Sequence, residues 1–192
     1  MPATPTPQNE KHRIDVLCAA ALLDTGPEFF FEEAVEAVLA ISGVPMAAVS
    51  LVDEGRQWFK TSRGLGVSET PRDCAFCSYT ILGDEPLIVA NARDDERFFD
   101  SALVTGEPRV MAYAGAPIVV ESGARIGAVC LIDTKPREWS PVHINLLCEV
   151  TRLVSRYVDL RRALLNLNPQ RLMDLAVGGD SISHLQSAIR AG

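Results

Sequence analysis

The sequence predicts an α+β fold in which helices cover a mostly antiparallel sheet. Two observations support this prediction. Short apolar segments are joined in pairs by tight turns, and segments with apolar residues at helical spacing lie towards both ends of the chain. The glycine-rich phosphate-binding motifs G-x-G-x-x-G and G-x-x-x-x-G-K-[ST] do not occur, which disfavours a Rossmann-type parallel sheet.

Two helices are predicted near the N-terminus, after a polar, proline-containing leader at residues 1–9. The first begins at Glu10, because apolar side chains then recur at helical spacing, and Gly26-Pro27 ends the run. The second covers residues 28–42 and is followed by Gly43, a residue typical of helix ends.

A hairpin is predicted next, with strands at residues 46–52 and 56–61 around the turn 53–55. Residues 62–72 are rich in Gly, Ser and Thr, and we interpret them as a loop.

The central part of the chain predicts shorter elements. Residues 74–82 fit one short helix and residues 87–91 a strand. Residues 92–110 carry many charges and a few large apolar side chains, which indicates an ordered, partly helical loop. Loops of this length inside a compact domain are usually functional.

The clearest hairpin joins strands at residues 112–121 and 125–133 through the turn Ser122-Gly123. Small residues in both strands, such as Gly115 and Gly127, would let another surface approach the sheet closely.

A long helix follows, with Ser140 as the N-cap, Pro141 at the first helical position and an end near residue 168. Apolar residues follow the 4-3 spacing of a coiled-coil seam, and a second apolar flank could cover the chain's own sheet. The predicted dimer interface comprises Leu146, Val150, Leu153, Tyr157, Leu160 and Leu164. The alternative is a helix packed entirely on its own sheet. Residues 169–192 predict a short helical tail.

Composition excludes several classes of partner. The 192 residues include 18 Lys and Arg against 25 Asp and Glu, and the net charge of −7 disfavours nucleic-acid binding. The apolar runs are shorter than the roughly 20 residues that a bilayer span needs, so we expect no membrane partner. Five scattered cysteines are typical of a reduced, cytoplasmic protein.

Nine short strings, in this order and spacing, resemble the GAF domains at the N-termini of bacterial sensor histidine kinases and diguanylate cyclases. Each string alone is weak, but the ordered set is specific, and it covers about residues 10–165. The strings are LLDT at 22–25, SLVDE at 50–54, RQWFK at 56–60, ETPR at 69–72, FC at 76–77, DDERF at 94–98, YAGAP at 113–117, GAVCLID at 127–133 and PR at 136–137.

The resemblance implies a six-stranded antiparallel sheet with helices on both faces, in a domain spanning residues 10–168 with long terminal helices. It also implies a small-molecule pocket between the sheet and residues 70–110, a homodimer formed through the terminal helices, and a kinase or cyclase as output partner. The ligand-binding residues predicted on this basis are Phe59, Cys77, Tyr79, Asp94, Arg97, Phe98, Tyr113, Gly115 and Cys130.

Two of these residues have alternative roles. Arg97 could hold a ligand carboxylate or phosphate, or it could pair with Asp94 or Asp95 to fix its loop. The Tyr113 hydroxyl could address a ligand or be satisfied within the core.

No metal or cofactor is expected. The family usually has His two residues after the Phe-Cys pair, and this chain has Tyr79 there. The C-x-x-C at residues 74–77 has no second pair to complete a zinc site. No His lies in residues 13–142, which disfavours a His-ligated haem.

We therefore expect a cytoplasmic sensory module that is not an enzyme, in which a small molecule changes how the terminal helices pack. Two alternatives stay open. One is a thiol enzyme, resembling GAF-type reductases of free methionine sulfoxide, that uses Cys77 or Cys130. The other is a structural dimerisation adaptor whose pocket is filled by its own side chains.

Overall fold

A six-stranded antiparallel sheet is the central layer of the computed structural model, which describes residues 4–167. The strands lie in the order β3-β2-β1-β6-β5-β4. Their bounds are β1 Met46–Val52, β2 Arg56–Arg63, β3 Glu69–Pro71, β4 Leu87–Val89, β5 Ala112–Val119 and β6 Arg125–Asp133. The helices are α1 Glu10–Ala19, α2 Phe29–Ser42, α3 Phe76–Thr80, α4 Ala102–Thr105 and α5 Pro141–Leu167. The predicted fold class is confirmed.

Both faces of the sheet are covered, so each central strand supplies two different cores. In β1, Ala47, Val49 and Leu51 face the layer formed by α1, α2 and α5, while Met46 and Ala48 face α3 and α4. Strands buried on both faces are mainly apolar, as β1 and the interior of β6 are, because side chains on either face of the sheet are shielded from water.

The two long helices begin and end where local chemistry dictates. Helix α2 ends at Gly43, which adopts the left-handed conformation at φ 63° that costs other residues a steric clash. Helix α5 begins as predicted, since the Ser140 hydroxyl accepts a hydrogen bond from the His143 backbone N–H at 3.3 Å. Leu147 and Val154 then bury one face of α5 against the sheet.

Beyond shifts of one to two residues at element ends, the structure differs from the sequence predictions most clearly at two places. Residues 69–71 form β3 within the predicted loop, and β3 lies at the edge of the sheet, where exposed Glu69 and Pro71 carry no apolar alternation. Helix α1 ends at Ala19, before the end at Gly26-Pro27 that the sequence predicts, because Ala21 takes a positive φ of 48° that stops helical propagation.

Two other expectations lie partly or wholly outside the described residues. The helical tail at residues 169–192 and the first three residues of the leader fall beyond residues 4–167, and the domain boundaries stay a prediction. Within the described range, no helix combines the length and the hydropathy needed to cross a membrane.

Helix α1 is attached to the sheet by a cluster of charges. The Arg13 side chain is fully buried and donates to the Val52 carbonyl at 2.5 Å, while its Nη2 lies 2.6 Å from Glu10 Oε1. Arg72 also donates to Glu10, at 2.7 Å. Burial raises the pKa of Glu10, but the hydrogen bonds from the two arginines outweigh it and lower the pKa to about 2.

This lowered pKa predicts a pH dependence of stability. A glutamate whose pKa is lower in the folded state stabilises fully above its unfolded value of 4.5, and the contribution is lost as the pH falls from there towards 2. Glu10→Gln should therefore flatten the loss of unfolding free energy over this window, measured by urea denaturation at several pH values. Glu33→Gln, at an exposed position of α2, is the control, and equal slopes for both variants would contradict the prediction.

Candidate ligand-binding site

A cavity of about 400 Å³ lies between the sheet and the segments that cross its α3 side. Its walls come from β2 and β3, the β2–β3 loop, α3, and the segment between α4 and β5. Most of the lining is apolar, and only three lining residues carry an amide or a carboxylate: Gln57, Glu69 and Glu107. The apolar and hydroxyl-bearing lining residues are Phe59, Leu65, Val67, Thr70, Pro71, Phe76, Cys77, Leu103, Pro108, Val110, Tyr113 and Ile132.

The phenol of Tyr113 forms a fixed part of the cavity wall. Its hydroxyl lies 2.7 Å from Thr80 Oγ1 and 3.2 Å from Cys77 Sγ, so the polar atom is satisfied inside the protein. The ring runs along β5 over Gly115, where an added Cβ would overlap the phenol. Phe76 stacks on this ring with centroids 5.1 Å apart.

The two buried thiols beside Tyr113 differ in acidity. Burial alone would raise the pKa of Cys77, but hydrogen bonds with Cys130 and Ser50 bring it below its ordinary value. The hydrogen bond to Cys77, together with burial, raises the pKa of Cys130 well above its ordinary value. Of these two thiols, Cys77 is the one that lines the cavity. The thiol-enzyme alternative stays a prediction.

The predicted ligand-binding residues fall into three groups. Three line the cavity: Phe59, Cys77 and Tyr113. Four lie beside or beneath that lining: Phe98 stacks on Phe76 at 4.1 Å, Tyr79 contacts Phe98 edge-on, and Gly115 and Cys130 are buried in β5 and β6.

The remaining two predicted residues, Asp94 and Arg97, make contacts within their own loop. The Arg97 guanidinium donates two hydrogen bonds to Asp95, at 2.9 and 2.6 Å, which lower the pKa of Asp95. Asp94 accepts a hydrogen bond from the Asn91 amide at 2.7 Å. Of the two roles considered for Arg97, the structure shows the loop-fixing pair with Asp95.

Sequence reasoning missed the polar part of the lining. Gln57 and Thr70 lie directly opposite each other where β2 pairs with β3, and both face the cavity. Gln57 Oε1 and Thr70 Oγ1 are buried without a hydrogen-bond partner. The period of two in β2 places Gln57 on the same face as Phe59, and that signal could have found it.

The opposite face of β2 carries a buried ion chain. The Lys60 ammonium lies 2.7 Å from Glu28 Oε1, and Glu28 Oε2 accepts from Arg161 Nη1 at 2.9 Å. Arg161 also donates to the carbonyls of Ala20 and Ala21 at the end of α1. Burial lowers the pKa of Lys60 although Glu28 opposes it. This chain links β2 with α5 and with the segment that follows α1.

The residues of the predicted dimer interface are exposed to different degrees. Leu153 and Leu160 are 56% and 58% exposed, and Leu164 is also exposed. Leu146, Val150 and Tyr157 are half-buried, and Tyr157 stacks on Phe30 of α2 with centroids 4.2 Å apart. A continuous apolar stripe thus runs from the edge of the core to the surface of α5.

Comparison of the chain with known proteins identifies related sequences. A family model described as GAF domain matches residues 27–167. A cyclic di-GMP phosphodiesterase of Pseudomonas aeruginosa is 41% identical over 137 residues, which are 71% of this chain and 23% of that protein. The chain thus spans about a quarter of the length of this relative.

Solved structures share the fold at low identity. The GAF domain of PixJ from Thermosynechococcus elongatus, in its blue-light-absorbing form, matches with a TM-score of 0.58 and 14% identity over 89% of this chain and 97% of that one. The type II free methionine-R-sulfoxide reductase of Thermoplasma acidophilum matches with a TM-score of 0.53 and 14% identity over 68% of this chain and 92% of that one. At these identities the likeness concerns the fold alone.

The comparison corrects one expectation. The expectation that the chain is not an enzyme is wrong, because the Pseudomonas relative is named a phosphodiesterase, which is an enzyme. Composition and motifs gave no sign of a relationship to a phosphodiesterase. The part of the relative that matches this chain is 23% of its length.

The contact between Tyr113 and Gly115 predicts a large effect of one methyl group. Gly115→Ala should destabilise the protein by about 1–3 kcal/mol or more, because the added Cβ displaces the phenol from Thr80 and Cys77. Urea denaturation measures this change. Gly55→Ala is the control, since a Cβ there meets nothing within 4 Å, and a similar stability of both variants would contradict the assigned position of the ring.

Proposed function

Because the chain belongs to the GAF domain family, we propose that it is the small-molecule-sensing part of a bacterial signalling protein. The observation that carries this proposal is the apolar cavity of about 400 Å³ on the face of the sheet opposite α5. Pockets that bind small organic molecules are typically concave, mainly apolar and supplied with a few polar groups, as this one is.

Strand β2 supports a route from the cavity to the terminal helix. Phe59 lines the cavity, and the next residue, Lys60, holds Glu28 on the other face. Glu28 in turn holds Arg161 of α5. A ligand that displaces β2 changes the geometry of these ion pairs, so it favours one packing of α5 over another.

The proposed output is regulation of a signalling enzyme. The Pseudomonas relative is named a cyclic di-GMP phosphodiesterase, and we propose that movement of α5 regulates an activity of this class on the same or an associated polypeptide. The kinase or cyclase partners implied by the resemblance belong to the same proposal.

The proposed assembly is a homodimer formed through α5. Leu153, Leu160 and Leu164 lie at heptad spacing on the exposed side of the helix, and burying the exposed part of each Leu contributes about half of the roughly 1.5–3 kcal/mol that full burial gives. Two such stripes packed together would make the position of α5 in one protomer depend on that in the other.

Hydrogen exchange with indole as the probe tests the sensing proposal. At a free indole concentration of about ten times the dissociation constant, amides that exchange only when the site opens should exchange about tenfold more slowly. This applies to the cavity segments 65–71 and 103–110. Exchange in α5 around Arg161 should also slow, because the ion chain transmits the stabilisation of β2.

Two variants of α4 make this test specific. Leu103→Trp fills the cavity and should abolish the indole effect, whereas Ala102→Trp, at an exposed neighbouring position, should leave it intact. Protection that survives in Leu103→Trp would contradict the assigned site. Protection confined to the cavity, with none in α5, would contradict the route through β2.

Sedimentation velocity tests the homodimer. The double change Leu153→Glu and Leu160→Glu should convert the dimer into a monomer, because two carboxylates would be buried at the interface. Asn145→Glu adds a charge at an exposed position of the same helix outside the stripe and should leave the dimer intact. A wild-type protein that sediments as a monomer at its highest soluble concentration would refute this assembly.

A further inference from the structure

Two residues that line the cavity each carry a buried polar atom that the protein itself does not satisfy. Gln57 is only 5% exposed, and its Oε1 has no hydrogen-bond partner. Thr70 Oγ1, directly across the β2–β3 pair, is also buried and unpartnered. A buried acceptor left without a partner reduces the stability of the folded protein by about 1–3 kcal/mol. A ligand group that donates a hydrogen bond to this acceptor removes that penalty, and the difference adds to the free energy of binding.

The two atoms lie close enough to act together. Residues directly opposite each other on antiparallel strands have Cβ atoms about 4.5–5.5 Å apart, and both side chains line the cavity. An amide oxygen only accepts hydrogen bonds, and a hydroxyl oxygen can accept one as well. The pair therefore favours a ligand edge that carries a donor.

The charges around the cavity disfavour ionic ligands. Throughout residues 4–167, no Lys, Arg or His side chain lines it, so an anionic group would be desolvated there without a counter-charge. The two lining carboxylates already have partners, because Glu69 lies 2.7 Å from Arg56 Nη1 and Glu107 lies 3.4 Å from Arg109 Nε. A cationic ligand therefore finds no uncompensated carboxylate among them.

We infer that the cavity takes a neutral, mainly apolar small molecule with an N–H or O–H donor, and that Gln57 and Thr70 receive this donor. The inference rests on the proposed sensing function and names the chemical class of its ligand. The apolar lining supplies most of the affinity through burial, and the unpartnered pair supplies selectivity among molecules of the same shape.

Four probes that share a bicyclic aromatic ring system test the inference by isothermal titration calorimetry. Indole is neutral and carries one N–H donor, and benzofuran has an oxygen in its place. Indole-3-acetate is anionic and tryptamine is cationic. We expect indole to bind about fivefold to tenfold more tightly than benzofuran, since one hydrogen bond separates them. Both ionic probes should bind more weakly than indole.

Variants identify the groups that receive the donor. Gln57→Leu keeps a side chain of similar volume and removes the acceptor, so indole should lose its advantage over benzofuran. The same change should leave the melting temperature of the ligand-free protein unchanged or raise it, because an unpaired buried oxygen is removed. Thr70→Val should act in the same direction. Ser42→Ala removes another unpartnered buried hydroxyl, outside the cavity lining, and should leave all four affinities unchanged.

The outcomes separate this inference from the proposed function. Equal binding of indole and benzofuran, tighter binding of an ionic probe, or a preference for indole that survives in Gln57→Leu would each overturn the inference while the sensing function stands. Binding of none of the four probes would overturn both. A marked loss of melting temperature in ligand-free Gln57→Leu would show that Gln57 already has a partner, which also overturns the inference.

Discussion

Burial of the sheet on both faces is the constraint on which the rest of this structure depends. Side chains alternate along a strand, so β1, β2 and β6 each contribute to two cores that differ in content. The core beneath α1, α2 and α5 is packed with aliphatic and aromatic side chains. The other core includes the cavity. One strand can therefore sense a ligand on one face and hold a helix on the other.

The cavity stays open because its α3 wall is internally fixed. Phe76 stacks between Phe98 and Tyr113, with centroid distances of 4.1 and 5.1 Å. The Tyr113 hydroxyl is satisfied by Thr80, and burial raises its pKa well above the ordinary value. These rings cannot move into the cavity without losing their stacking and the buried hydrogen bond. The walls that can adapt to a ligand are therefore those formed by the β2–β3 and α4–β5 segments.

Most of the fold could be predicted from local patterns, whereas most of the cavity lining could not. The hairpins and the start of α5 follow from turn residues and a cap, which act over a few positions. Phe59 and Tyr113 could be placed because strand alternation and the resemblance agree on them. The edge strand β3 could not, because an exposed edge carries no apolar period. The unpartnered state of Gln57 depends on that strand, and so no local pattern reports it.

The ion chain on the reverse of β2 shows why long-range contacts escape sequence reasoning and why they matter here. Glu28 and Arg161 are separated by 133 positions, yet they meet at 2.9 Å with Arg161 only 5% exposed. Removing one partner of a buried ion pair typically costs about 3–5 kcal/mol, because the other charge stays buried. Helix α5 therefore cannot slide on the sheet while Glu28 and Lys60 stay in place. Since Gln57 and Lys60 belong to the same strand, a ligand donor bound at Gln57, as proposed, would act on the element that already fixes α5. In the proposed mechanism, ligand recognition and transmission to α5 therefore share one element, strand β2.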